Sequence, residues 1–334
     1  MAADSLIGGN TGITDTLSQS TKDMLTGFLT DITNGVSTTV GGATVVQGPG
    51  SDPTTHAGVL VESNAGVVGT LGTGTGIFDA SINLPANVGL TFQGPGSVVT
   101  SAEANTYLLG LISAAFPSTS TNPAVIAEHA ALENAVAIIQ GHSSSDSVVR
   151  FLNVTDSTKA GTPAQDITIT SDQTSTQHEI LAINMSAVHA GNTLVLGDVR
   201  SSVIVGAGSV RVSGTVPSTV IGDTSDQRIT GGSGGTDTLV GGGGSDTLVG
   251  GTSADTFGFN AAGEYRVEKM EMGAGDLLGF SIPGISDINQ LANLVTNVAV
   301  VNHDTTYTFV GGSTITLVGI TPDQVTADLI HFTL

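Results

Sequence analysis

Asp237, Asp246 and Asp255 stand nine residues apart, and each is followed two residues later by Leu239, Leu248 or Phe257. They lie in a glycine-rich stretch, GGSGGTDTLVGGGGSDTLVGGTSADTFGF, running from residue 231 to 259. The middle unit, residues 241–249, fits G-G-x-G-x-D-x-U-x at every fixed position. The unit before it carries Ser233 at the second glycine position, and the unit after it carries Ser253 at the fourth. A glycine-rich half-unit bends tightly, because glycine takes positive φ without a steric penalty, and such a bend turns backbone carbonyls inward. With the aspartate carboxylate these carbonyls form a set of hard oxygen donors, the kind that Ca²⁺ takes. The candidate metal ligands are therefore the side chains of Asp237, Asp246 and Asp255 and the backbone at Gly232, Gly234, Gly241, Gly243 and Gly250.

The other half of each unit, Thr-Leu-Val or its equivalent, must extend as a short strand that sends its Leu or Phe into a shared interior. One unit has too little surface to bury that side chain, so neighbouring units must stack. A flexible Gly/Ser/Thr linker would have no reason to hold Asp and Leu in phase.

These repeats resemble those of RTX (haemolysin-type) calcium-binding proteins. The resemblance implies a parallel β-roll in which successive units lie on opposite sides and one coil takes two units. Asp237 and Asp255, eighteen residues apart, would then face one another across a site. Asp246 would look to position 228 or 264, where Arg228 and Glu264 stand outside any regular repeat, so a weaker or incomplete site is expected there. The resemblance extends over about residues 230 to 334. It includes Asp276-Leu277-Leu278 as a D-x-L-type strand, Thr314 to Gly319 as the end of a hairpin, and Thr326 to Phe332 as the finish. It implies export by the type I route of Gram-negative bacteria through an uncleaved C-terminal signal.

Composition narrows the classes. Eight basic residues against 29 acidic ones leave a net charge of -21, which argues against nucleic acid as a partner, since phosphate recognition needs clustered Lys and Arg. The chain has no cysteine, which excludes disulfide scaffolds, zinc–thiolate sites and thiol catalysis. Aromatic residues make up 4 % and Trp is absent, while Gly, Thr, Val, Ser and Ala dominate, as suits β-rich packing. The N-terminal MAADSLIGGNTG lacks the basic and apolar regions of a Sec signal peptide, and no apolar run is long enough for a membrane span.

In chain order, residues 14–33 have the apolar spacing of an amphipathic helix, and 101–116 and 123–140 read as two more, the second opened by Asn122-Pro123 and ended by Gly141. Residues 36–100 are strand-like, as are short segments from Val148 to Ile221, the last of which come at about nine-residue spacing and would form a degenerate stack leading into the repeats. Ser286-Asp287 would cap a short helix through residues 291–298, and 305–309 with 314–318 read as a hairpin. The expected fold is mainly β: a C-terminal parallel β-roll or β-solenoid preceded by a mixed α+β N-terminal domain with about three helices. The expected units are 1–145 (mixed α+β), 146–230 (β-rich), 231–260 (calcium repeats) and 261–334 (cap and export signal).

Catalytic motifs are missing. The His178-Glu179 pair has no second His to complete H-E-x-x-H and sits in a strand-like context. The sole G-x-S-x-G, residues 231–235, belongs to the repeat. Residues 71–77, LGTGTGI, lack the spacing and context of a nucleotide loop. The expectation is a non-enzymatic, secreted, calcium-binding structural protein that self-assembles at the cell surface, similar in composition to bacterial S-layer proteins, with itself and cell-surface polysaccharide as partners. A calcium-dependent adhesin is the alternative, and a secreted hydrolase with a repeat tail ranks behind it.

Overall fold

A computed structural model describes residues 36–40, 43–49, 55–60, 67–71, 80–95, 99–142, 147–159, 161–171 and 178–334. The helix expected over residues 14–33 lies outside them.

The chain is mainly β, with long parallel sheets. The strands are β1 (Val36–Val40), β2 (Ala43–Pro49), β3 (Thr55–Leu60), β4 (Val67–Leu71), β5 (Ala80–Leu84), β6 (Val88–Pro95), β7 (Ser147–Asp156), β8 (Asp166–Ser171), β9 (His178–Asn184), β10 (Thr193–Gly197), β11 (Ser201–Val205) and β12 (Gly208–Ser213). They continue as β13 (Thr219–Ile221), β14 (Gln227–Thr230), β15 (Thr238–Val240), β16 (Gly244–Val249), β17 (Thr256–Phe259), β18 (Gly263–Glu268), β19 (Leu277–Phe280), β20 (Val295–Val301), β21 (Asp304–Phe309), β22 (Thr314–Leu317) and β23 (Ile330–His331). The described helices are α1 (Ser101–Ala115), α2 (Pro123–His142) and α3 (Ile288–Leu294).

From β7 to β19 consecutive strands fall alternately in two sheets. One sheet runs β7-β9-β11-β13-β15-β17-β19-β23 and the other β8-β10-β12-β14-β16-β18-β22. Each strand from β7 to β17 thus pairs in parallel with the strand two further along the chain, after which β18 pairs with β22 and β19 with β23. The chain repeatedly crosses one sheet and then the other, and one such passage is a circuit. At the N-terminal end β5, β6 and the strands before them join the same two sheets in antiparallel fashion. Both sheets run past residues 145, 230 and 260 without interruption.

Side chains alternate across a strand, and the alternation splits the core in two. Leu181, Ile204, Val220, Leu239, Phe257 and Leu278 point into the space between the sheets, where Leu194, Val210, Ile229, Leu248 and Val267 meet them from the other side. The intervening residues Ile180, Val203, Ile221 and Val240 face the opposite way, onto Leu108, Leu132, Val136 and Ile139 of the two long helices. The first sheet is therefore covered on both faces, which explains why its central strands read as continuous apolar runs. Each such Leu or Phe, buried to 0 % exposure at Leu239 and Phe257, contributes roughly 1.5–3 kcal/mol.

The helices begin as expected. Thr100 caps α1 in a capping box with Glu103, and Asn122 Oδ1 accepts from the Ala124 N–H ahead of Pro123. Gly141 does not end α2, which runs on to His142. In the C-terminal segment Asp287 caps α3 by accepting from the Asn289 and Gln290 N–H groups. However, α3 stops at Leu294, and residues 295–301 are a strand rather than the rest of a helix. VTNVAVV is rich in β-branched residues, and it pairs antiparallel with β21, which pairs in turn with β22.

Helix α2 also reaches the loop between β13 and β14. The Glu128 carboxylate accepts from the Thr224 N–H (3.2 Å) and from the Thr224 hydroxyl. Burial, aided by the charge of nearby Asp223, pushes Glu128 up to about 7. A carboxyl group whose folded value lies above its unfolded one contributes stability at low pH that is lost as pH rises through the folded value. Thermal unfolding followed from pH 4.5 to pH 8 is thus expected to show Glu128→Gln gaining on the native chain by on the order of 1 kcal/mol at pH 8, with no gain at pH 4.5.

Candidate functional site

The repeat glycines and aspartates occupy the turns at the sheet edges. On the edge of the helix-covered sheet, strand register places Ser218 beside Asp237, Asp237 beside Asp255, and Asp255 beside Asp276. The register brings together Asp237 and Asp255, the pair that the resemblance implies, and adds Asp276 to it. A spacing argument misses Asp276 because the last circuit, from Thr256 to its partner Leu277, is longer than two repeat units. The signal for it in the sequence is the D-x-L strand motif, not the phase.

All three carboxylates are bound in the same way. Asp237 Oδ1 accepts from the Ser218 N–H at 3.0 Å and Oδ2 from the Gly232 N–H at 2.7 Å. Asp255 accepts from the Asp237 N–H at 3.0 Å and the Gly251 N–H at 2.6 Å. Asp276 accepts from the Asp255 N–H at 2.8 Å and the Glu271 N–H at 2.7 Å. One oxygen of each side chain thus ties its circuit to the circuit before, and the other closes its own turn. Hydrogen bonds to a carboxylate are among the stronger ones in proteins, so these aspartates also act as links between circuits.

On the other sheet edge the register departs from the sequence expectation. Arg228 pairs with Thr247, and Asp246 pairs with Tyr265. The neighbours of Asp246 are therefore Gln227 and Tyr265, not Arg228 and Glu264. The circuits here are one residue longer than two repeat units. Asp246 Oδ1 accepts from the Gln227 N–H at 2.9 Å, repeating the link seen on the first edge. Its Oδ2 is buried with no hydrogen-bond partner, in a side chain 2 % exposed.

Burial dominates the electrostatics of these acids. It pushes Asp237 up to about 6, with the charge of Asp255 adding to the effect. It pushes Asp246 up to about 8, reinforced by Asp223 and Asp226. Asp255 and Asp276 are also raised by burial, with Glu271 repelling both. Among the described residues the ion pairs involve other acids, Glu133, Asp166, Glu268 and Asp304, and none reaches these four aspartates.

The glycines make room where the backbone turns stack. A methyl group added at Gly251 would lie 1.7 Å from the Gly232 carbonyl oxygen, and one at Gly241 would lie 2.4 Å from Asp246 Oδ2. Gly243 has φ 140°, a left-handed region that few other residues tolerate. Gly232, Gly234 and Gly250 line the same turns.

As for a metal, no group of three or more His, Asp or Glu side chains among the described residues lies close enough to hold one ion. A cation here would have to draw most of its oxygens from backbone carbonyls. The donor chemistry suits that: each ionised carboxylate has about four acceptor sites, Asp237 and Asp255 use two in the bonds above, and Asp246 Oδ2 uses none. His178, the residue nearest to a metalloprotease motif, begins β9 and its Nε2 lies 2.7 Å from the Ser201 hydroxyl, so it sits on a strand and not on a helix. No protein-family model matches the chain, and no curated protein matches it.

Gly251→Ala is expected to lower thermal stability by several kcal/mol or to prevent folding, because the clash is with backbone. Gly273→Ala, where an added methyl meets nothing within 4 Å, should change stability by less than about 0.5 kcal/mol. Paired melting curves of the two variants check this.

Proposed function

We propose that residues 231–276 form a calcium-binding β-roll of the RTX kind, within a longer β-solenoid, and that the chain is a secreted structural protein that assembles with itself outside the cell. The observation that carries this reading is a line of desolvated carboxylates on stacked turns, with no Lys or Arg among the described residues paired to any of them. Buried charges are costly unless compensated, and a bound divalent cation would supply that compensation. Asp237, Asp255 and Asp276 would serve one sheet edge and Asp246 the other, with the carbonyls of the Gly232, Gly234, Gly241, Gly243 and Gly250 turns completing the sets.

The chain's own residues account for the rest. Protons or a cation must neutralise these turns before the circuits close, so the fold is coupled to the ion. With extracellular modules binding Ca²⁺ at about 10⁻⁴–10⁻³ M, the repeats would stay open where calcium is scarce and close where it is abundant. That fits export of an unfolded chain followed by folding outside, by the type I route. The strong net negative charge, -21, keeps copies apart at low divalent concentration and gives calcium acidic surfaces to bridge. Among the described residues, no helix is long and apolar enough to cross a membrane.

Circular dichroism during a Ca²⁺ titration at pH 7.5 is expected to show β structure rising with the ion. The double variant Asp237→Asn/Asp255→Asn should raise the midpoint at least tenfold, whereas Glu133→Gln, at an exposed position on α2, should shift it less than twofold. A flat titration of the native chain would remove the calcium reading. Assembly has its own test: electron microscopy should find large ordered particles at millimolar Ca²⁺ that EGTA dissolves. A chain that binds calcium yet stays monomeric at high concentration would leave the calcium site standing and end the assembly reading.

A further inference from the structure

The two sheets do not end together. The helix-covered sheet stops at β23, whereas the other continues past β22 through β21 to β20, its edge strand. Among the described residues no strand pairs with the outer side of β20. Val298 stands in a row with Tyr307 and Ile315, and Val300 in a row with Thr305 and Leu317. Directly opposed residues share a face, so both rows lie on the apolar inner face of the sheet. Burial falls off along them: Leu317 is 0 % and Ile315 5 % exposed, but Val298 is 45 % and Val300 51 % exposed. Three of the five exposed large apolar side chains among the described residues, Val298, Val300 and Val301, stand on this one strand. Edge strands are ordinarily guarded by charge, Pro or a bulge, because their free N–H and C=O groups can take up another strand. Residues 288–303 contain no Asp, Glu, Lys, Arg or Pro. A register shift between Val295 and Asn297 leaves residues 297–301 in regular pairing.

Charge and pattern both point to a second copy of the chain. Two copies at -21 each repel one another, so they approach closely only where acids are absent or already paired. β20 has none, and Asp304, at the start of β21, accepts from the Gly319 N–H at 2.9 Å and lies 3.8 Å from Arg266. The strand is also self-complementary. A twofold axis normal to the sheet sets two identical edge strands antiparallel, with like faces on the same side. Placed at Ala299, the middle of the regular stretch, the axis opposes Val298 to Val300 of the second copy on the inner face and Asn297 to Val301 on the outer one. Each valine of the stretch then gains a cross-strand neighbour. Moving the axis to Val298 would oppose Val300 to Thr296, and moving it to Val300 would oppose Val298 to Asn302. We infer that β20 is a self-association edge: two copies pair antiparallel through residues 297–301 about a twofold axis at Ala299, which joins their sheets into one. This pairing supplies one contact of the self-assembly proposed above and rests on that reading.

The chain has no cysteine, so a single introduced thiol reports on its own position. Directly opposed residues of antiparallel strands have Cα atoms about 4.5–5.5 Å apart, a separation that a disulfide spans. Full-length Ala299→Cys, oxidised at millimolar Ca²⁺ and run on a denaturing gel, is expected to give at least ten times more linked dimer than Ser118→Cys, exposed between α1 and α2. Val300→Lys should raise the concentration needed for association at least tenfold in sedimentation velocity, although it lowers the net negative charge, whereas Val300→Ile should match the native chain. If the lysine variant fails to fold, the cross-link decides alone. Equal linkage at positions 299 and 118 overturns the pairing, as does association unchanged in Val300→Lys. Docking of β20 on β4, the opposite edge of the same sheet, would build a head-to-tail array, bring no two 299 positions together and so give equal linkage. If ordered particles form without the 299 linkage, self-assembly stands and uses another surface; a native chain that stays monomeric ends both readings.

Discussion

Parallel pairing between strands two apart in the chain is the constraint on which the molecule depends. It obliges every turn to lie directly on the turn one circuit earlier, so whatever stands at a turn is repeated along the sheet edge. Apolar residues gain from this, because Leu239, Phe257 and Leu278 stack into one continuous interior. Backbone groups gain as well, since the N–H groups of Ser218, Asp237 and Asp255 each find the carboxylate of the next circuit. Carboxylates are the groups that lose. Stacking buries them near others of their kind, and burial raises all four aspartates of the two edges.

The same residues thus carry structure and chemistry. Asp237 and Asp255 hold one circuit to the next through hydrogen bonds, and they concentrate negative charge at a place where solvent screening is weak. A positively charged side chain would relieve that charge permanently; the chain has 8 basic residues in all, and those that form pairs here do so at the surface, as Arg228 and Arg266 do with Glu268. A diffusible cation would relieve it conditionally, and conditional relief lets the surroundings decide when the circuits close. The glycines fit this arrangement for steric reasons. At Gly251 and Gly241 the neighbouring circuit or the turn's own carboxylate occupies the space a side chain would need.

The C-terminal end obeys a different rule. Here the repeating circuits give way to α3 and the antiparallel strands β20–β22, which close over the aromatic cluster of Phe259, Tyr265, Phe280 and Phe332. A stack of circuits must end somewhere, and its last apolar layer needs cover. Rings of different shape pack less regularly than repeated Leu and Val, and beyond them the sheet ends at the open edge of β20.

Much of this was legible in the residues themselves. Strict nine-residue phase in Asp, Leu and Gly revealed the repeat, because a stack must bury the same positions in every unit, while the alternation of strands and the pairing of Asp237 with Asp255 came from the resemblance to RTX repeats. The strands from 147 to 221, helices α1 and α2, and the cap at Asp287 were also readable, each having local signals in β-branched runs, apolar spacing or an N-cap. What the sequence left open depends on register and on partners distant along the chain. Asp276 joins the aspartate line only because one circuit is longer than its predecessors, and Asp246 meets Gln227 and Tyr265 because its circuits hold one extra residue. Residues 295–301 became a strand because β21 lay ready to pair with them, and a helical pattern cannot foresee that. Periodicity is a local property and is written in the chain; register, burial and the open edge of β20 exist only once distant segments are placed side by side.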